Sequence, residues 1–350
     1  MTVCFFGTYN PSYPRNRVLI KGLEENGVEV ILCYDHSWRF LKYLKLFWKH
    51  WKIRKKYDFL LVGFPGHLVI PLAKLISRKP VVFDAFISWY DTYVWDRRLV
   101  KEKSFKALFY FFLDWLSCKL ADKIILDTEE HIKYFTKTFG IKNKEKFIRI
   151  FVGSDDSIFF PREHKKETDK FLVHFHGKYI PVQGVEYIVK AAKLLEKENV
   201  QFNLIGNGQT HQMAKNLTKE LDVKNINFID FLPQEEIVKY IGQADVCLGI
   251  FGKTEKATRA IPNKVYEAIA CKKPTITADT PAIRELFTNR DNCLFCRKAD
   301  EKDLANKILE LKNNTELKSK IAENGYKIFK EKLIPKILGK ELKSVLEKFE

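Results

Sequence analysis

The chain of 350 residues is short of acid. Its 44 Asp and Glu stand against 61 Lys and Arg, a formal net charge of +17, which favours polyanions or anionic membrane surfaces as partners and says nothing of the fold. Long apolar runs are missing too: no stretch reaches the ~18 residues that a spanning helix needs. The first residues lack the basic, apolar and small-residue succession of a signal peptide. Cysteines number seven and are scattered, an odd count that argues against a disulfide framework and for a reducing compartment. Cys293 and Cys296 form one C-x-x-C, yet without a second Cys or His pair it cannot complete a tetrahedral zinc site, so buried structural thiols are the favoured reading and no metal is expected. There is no zinc-finger or RNA-recognition motif to go with the positive charge, and no internal repeat. The expected location is cytoplasmic, either free or peripheral on the cytosolic face of the cell membrane.

What is present is a globular α/β pattern. Apolar residues make up 46% and aromatics 14%, and the length suggests two domains, each able to build its own core. Thr2–Phe6, Glu29–Cys33, Phe59–Val62, Pro80–Phe83, Lys123–Leu126 and Phe147–Phe151 are apolar without strict alternation, as buried parallel strands are. A polar stretch from Arg162 to Lys170 reads as a linker. The pattern then restarts with strands at Phe171–Phe175, Val200–Ile205, Ile226–Ile229, Val246–Ile250, Pro274–Ala278 and Cys293–Phe295. Helices are expected at Gly184–Glu196, Gln209–Leu221, Pro262–Cys271 and Asp300–Leu311. Two such arrays predict two doubly wound, Rossmann-like parallel-sheet domains, residues 1–161 and 171–330, facing across a cleft. The basic end of the chain should add one or two helices, with residues 331–350 joining the first domain.

The most informative segment is IPNKVYEAIA, Ile261 to Ala270. Pro262 suits a first helical position, where its missing N–H costs nothing, and Lys264 and Glu267 then share one helix face. A lysine at the positive end of a helix dipole is disfavoured unless an anion offsets it, and a phosphate is the natural one. A carboxylate one turn on could accept hydrogen bonds from ribose hydroxyls. The pair reads either as a nucleotide clamp or as a solvated surface ion pair.

Other strand ends carry supporting residues. FHGKYIPVQGVEYI, Phe175 to Ile188, runs from a strand through Gly177 and Lys178 into a helix opening near Gly184, where free amides make an anion site. LIGNGQTH places Gly206, Asn207 and Gly208 directly after another strand. His211 stands where the dinucleotide fingerprint needs a third glycine, which disfavours a nicotinamide or flavin cofactor. Gly7 ends the first strand. Asp84 ends the fourth, as a catalytic group or a simple cap.

These segments, with YNPSYPRNRVLIKGLEENGVEV, LADKIILDTEEHIKYF, FIRIFVGSDDSIFFP and IPNKVYEAIACKKPTITADTPAIREL, resemble in order and spacing the retaining glycosyltransferase family four, also called group 1 glycosyltransferases, of GT-B architecture. The resemblance covers nearly the whole chain. It implies a nucleotide-sugar donor held by the second domain, an acceptor held by the first, no cofactor, and no metal at the diphosphate. By its motif Glu267 corresponds to the ribose-binding glutamate, Lys264 to a diphosphate ligand, and Gly206 and Gly208 to the loop beside the nucleotide. Two departures stand out. Arg259 occupies the place of an earlier glutamate that contacts the donor sugar, and Gln183 that of a lysine on the diphosphate, leaving Lys178 and Lys264, with Arg259, to stabilise the leaving group. The implied activity is metal-independent hexosyl transfer from a UDP or GDP sugar to a lipid-linked or polysaccharide acceptor. Alternatives are a nucleotide-sugar 2-epimerase of the same fold and a basic nucleic-acid-binding protein. The identity of sugar, base and acceptor, and the oligomeric state, are not legible.

Finally, Trp38 to Lys56 contains no acid. Phe40, Leu44, Phe47, Trp48 and Trp51 fall on one helical face with lysines around the rest, the pattern of an interfacial helix on an anionic membrane surface or of a core-packed helix with a solvated basic face.

Overall fold

The computed structural model describes residues 1–162, 164–166 and 168–349. The chain divides into two compact units, one of Met1–Asp155 with Leu333–Glu350, the other of Asp156–Lys332.

In the first unit the strands are β1 (Thr2–Gly7), β2 (Glu29–Tyr34), β3 (Phe59–Val62), β4 (Val81–Phe86), β5 (Lys123–Leu126) and β6 (Phe147–Arg149). They pair in parallel in the order β2-β1-β3-β4-β5-β6. The helices between them are α1 (Pro14–Glu25), α2 (Leu41–Ile53), α3 (Ile70–Ile76), α4 (Phe105–Leu120) and α5 (Glu129–Phe139). Alternate strand residues such as Cys4, Phe6, Leu60, Val62 and Phe83 share one core with Leu46 of α2, Ala73 of α3, Cys118 of α4 and Phe135 of α5. These four helices therefore form a single layer on one face of the sheet, as right-handed crossovers require.

The second unit repeats the plan with β7 (Phe171–His176), β8 (Val200–Ile205), β9 (Ile226–Ile229), β10 (Val246–Leu248), β11 (Thr275–Ala278) and β12 (Leu294–Cys296), ordered β12-β11-β10-β7-β8-β9. Its helices are α6 (Val185–Leu194), α7 (His211–Glu220), α8 (Gln234–Gln243), α9 (Asn263–Ala270), α10 (Pro281–Arg284), α11 (Glu301–Asn313) and α12 (Thr315–Ile328). The last helix, α13 (Pro335–Glu347), returns to the first unit and packs on α1. Gly22 and Gly339 permit that contact, since a Cβ on either would overlap the other helix's backbone.

Two local expectations are corrected. Arg162–Lys170 is not a free linker but part of the second unit: Lys166 pairs with Asp245 and Gln243 donates to the Lys165 carbonyl, while Glu163 and Glu167 lie outside the described residues. Pro262 is the extended residue just before α9, at φ −74° and ψ 145°, rather than its first helical residue. Among the described residues no helix is long and apolar enough to cross a membrane, and all seven cysteines are buried and free.

Candidate nucleotide-sugar site

In an open parallel sheet, ligands bind beyond the carboxyl ends of the strands where the strand order reverses. In the second unit that point lies between β7 and β10, and the loops leaving both meet there. Phe251 N donates to Gln183 O at 3.0 Å and Gly252 N to Val182 O at 3.2 Å. The loop after β8 is clipped to the same place: Gly177 N donates to Ile205 O at 3.0 Å and Tyr179 N to Asn207 O at 3.0 Å. A Cβ at Gly206, whose φ is +124°, would lie 2.1 Å from the Gly177 carbonyl oxygen, so only glycine allows the approach. Gly208 faces Tyr179 and Gly184 faces Gly252 at similarly close range.

Onto this platform α9 delivers its two charged groups. Every residue from Lys264 to Ala270 is buried, so the reading of a solvated surface pair is ruled out. The Lys264 ammonium donates to Gln183 Oε1 and sits 3.8 Å from the centre of the Phe175 ring. A Cβ at Gly177 would come within 3.0 Å of it. Among the described residues Lys264 forms no ion pair, and burial pushes its pKa down to about 7, with Glu267 opposing the fall. A buried cation without a carboxylate partner is expensive.

Glu267 is held from behind by a chain of histidines absent from the sequence reading. His176 Nε2 lies 2.6 Å from Glu267 Oε2, and His176 Nδ1 lies 2.9 Å from His174 Nε2. Burial, with His176 and Lys264 nearby, holds His174 well below the ordinary imidazole range, so it stays neutral. Facing a carboxylate, which only accepts, His176 Nε2 donates the hydrogen of the shorter contact to Glu267. The available signal was two histidines at i and i+2 in an otherwise apolar parallel strand, which should be apolar throughout.

The remaining expected residues are placed as follows. Lys178 is exposed on the loop after β7. Arg259 is half-buried after the short turn Glu255–Thr258. At the start of α6, the Glu186 carboxylate takes its own backbone amide, so that helix end is less open to an anion than the sequence suggested. Gly7 ends β1 in the first unit. Asp84 is also there, fully buried, with both carboxylate oxygens held by Arg15 at 3.0 to 3.2 Å; Arg15 in turn donates to the carbonyls of Ile150 and Phe151. Asp84 is thus an internal brace joining β4, α1 and the end of β6, not an accessible catalytic group.

Residues 156–328 match the family model described as glycosyl transferases group 1. The second unit belongs to this family. An uncharacterized glycosyltransferase of Methanocaldococcus jannaschii is 25% identical over 227 residues, covering 65% of this chain and 59% of that relative. The capsular polysaccharide biosynthesis glycosyltransferase CapM of Staphylococcus aureus is 22% identical over 270 residues, 72% of this chain and 68% of its own length. Among solved structures, Anabaena HepE in complex with UDP and glucose is similar at a TM-score of 0.76 and 15% identity, over 99% of this chain and all of that one. That likeness shows a GT-B fold. The family match spans β7 to the end of α12, the segment that holds Lys264, Glu267 and the three glycine-bearing loops.

The first unit has its own pocket, of about 290 Å³, lined in part by Asp35, His36, Tyr43 and Trp89. It also contains Thr8, after β1, and Pro65, after β3, the two strands between which this sheet's order reverses. Beside it, the apolar stripe on α2 is open to solvent: Phe40, Leu44, Trp48 and Trp51 are exposed by 67%, 55%, 61% and 48%, and only Leu46 and His50 of the helix are buried. The core-packed reading therefore fails for these four residues, while Phe47, the fifth of the stripe, is half-buried.

Proposed function

We propose that this group 1 glycosyl transferase moves a hexose-type sugar from a UDP or GDP donor to a lipid-linked or polysaccharide acceptor, retaining the anomeric configuration and using no metal at the diphosphate. The observation that carries the reading is Lys264, a buried ammonium with no anionic partner among the described residues, one turn from a carboxylate fixed by His176. The UDP bound to HepE and the capsular polysaccharide role in CapM's name support the donor and acceptor classes.

Departure of the nucleoside diphosphate builds negative charge on the bridging oxygen and positive charge on the sugar. A fixed cation aimed at the diphosphate stabilises that state, typically by a few kcal/mol. Lys264 takes this role, with Lys178 and Arg259 as further cations and the loops at Gly177, Gly184 and Gly206 to Gly208 shaping the donor pocket. With Oε2 of Glu267 engaged by His176, its other oxygen is left for the ribose hydroxyls. Attack from the leaving-group side lets the diphosphate take the acceptor's proton, so no protein nucleophile is needed.

The first unit's pocket receives the acceptor: aromatic Tyr43 and Trp89 with Asp35 suit a saccharide's apolar face and hydroxyls. The exposed face of α2 rests on an anionic membrane surface, which suits a lipid-borne acceptor and a location on the cytosolic side. The family match does not favour an epimerase, which would transform the donor without an acceptor. Incubating the chain with UDP and GDP sugars in EDTA, with and without lipid-linked saccharides, tests all of this. Acceptor-dependent release of nucleoside diphosphate is expected, and donor epimerisation without an acceptor would overturn the reading.

A further inference from the structure

α2 does not account for all the apolar surface left open on the first unit. Most of the exposed large hydrophobic side chains among the described residues fall between Trp38 and Phe112, and a second group lies on α4. Phe105, Leu108, Phe109 and Phe112 are exposed by 87%, 62%, 45% and 49%. Their spacing of i, i+3, i+4 and i+7 makes one continuous face. α4 already buries another face, through Ala107, Leu113, Asp114, Ser117 and Cys118. A helix on a sheet needs one apolar face, and the second here has no cover among the described residues.

This second face belongs to the same layer as the first. α3 packs against both α2 and α4, and its Leu75 is exposed by 83%. All three helices press their buried residues into the same core on the same side of the sheet. Neither α2 nor α3 contains an acidic residue, the only acid of α4 is the buried Asp114, and the approach to α4 reads RRLVKEKSFK, five cations against Glu102.

We propose that the outer face of the α2–α3–α4 layer is a single docking surface for an anionic phospholipid bilayer. Phe105, Leu108, Phe109, Phe112 and Leu75 enter the boundary with the acyl chains, and the lysines and arginines meet the headgroups. The proposal rests on the membrane reading of α2 for its choice of partner and adds α4 as a second, separate anchor. Charge decides among occupants. A second copy would bring the same cations face to face, whereas an anionic bilayer complements them and leaves the apolar side chains out of water. Lys42 and Tyr43 of α2 and Leu68, just ahead of α3, also line the first unit's pocket, so docking brings that pocket to the lipid surface.

The test is co-sedimentation of the full chain with phosphatidylglycerol-containing vesicles and with phosphatidylcholine vesicles. Three proteins are compared: wild type, a variant with Phe105→Ser, Leu108→Ser, Phe109→Ser and Phe112→Ser, and a Trp48→Ser/Trp51→Ser variant. All these side chains are exposed, so melting temperature and UDP binding should be unchanged, which separates this proposal from the donor-site reading. Expected is salt-sensitive binding of wild type to the anionic vesicles, weakened about tenfold or more by each set of changes. Wild-type-like binding by the α4 variant overturns the proposal, leaving α2 as sole anchor. So does a wild type that ignores anionic vesicles, that forms a dimer the α4 changes dissolve, or that prefers single-stranded RNA to the vesicles.

Discussion

His176 Nε2 lies 2.6 Å from Glu267 Oε2, a contact between β7 and α9 made across 91 residues of chain. It fixes one oxygen of a glutamate on a short buried helix. Hydrogen bonds to charged groups contribute about 1.5–3 kcal/mol. His176→Phe should therefore weaken nucleoside diphosphate binding by roughly ten- to a hundredfold, while His176→Gln, which keeps an N–H donor, should recover part of the loss. Calorimetric titration checks both, and equal affinity in all three proteins would remove the positioning role.

Lys264 predicts a pH dependence with a definite sign. Burial pushes its pKa down to about 7 in the free protein, so the ammonium is present below that pH and lost as pH rises through it. A bound diphosphate favours the charged form and raises the pKa again. Binding above pH 7 should then take up a proton and weaken as pH increases. Titration at pH 8 in two buffers of different ionisation enthalpy measures the uptake directly. The same uptake in Lys264→Met would assign it elsewhere.

Asp84 should affect stability and not donor binding. Removing its carboxylate leaves the Arg15 guanidinium buried without its counter-charge, and broken buried pairs cost about 3–5 kcal/mol. Asp84→Ala should lower the unfolding midpoint steeply while any folded fraction still binds nucleotide. A fully stable Asp84→Asn without turnover would restore a catalytic role.

Gly206→Ala tests the crossing of the β7 and β8 loops. The added methyl would sit 2.1 Å from the Gly177 carbonyl, at a backbone φ of +124°, so one loop must move. Roughly 2 kcal/mol of destabilisation is expected, with loss of nucleotide affinity. Urea unfolding and calorimetry on the same preparation report both.

The strands could be read from the sequence because apolar runs bounded by turn residues signal themselves locally. Phe59–Val62, Lys123–Leu126, Val200–Ile205 and Ile226–Ile229 have their expected bounds, and the others differ by one to three residues at an end. Lys264, Glu267 and the glycines share one place because each follows a strand that ends there. The misses depend on distance along the chain. Asp84 meets Arg15 across 69 residues, and His176 gains its meaning only when α9 arrives. Arg162–Lys170 has the composition of a loop and is held by Asp245 and Gln243, which one segment's composition does not reveal. α4 is apolar nearly all round, so its pattern did not say which side would meet water.

Lys264 and Glu267 are expected to grip a nucleoside diphosphate without help from a divalent ion. Isothermal titration of wild type, Lys264→Met and Glu267→Ala with UDP and GDP in EDTA is the decisive measurement. Binding of at least one nucleotide by wild type in EDTA, weakened tenfold or more in each variant, is the predicted result. Binding that vanishes with chelation, or that both variants retain in full, would contradict it.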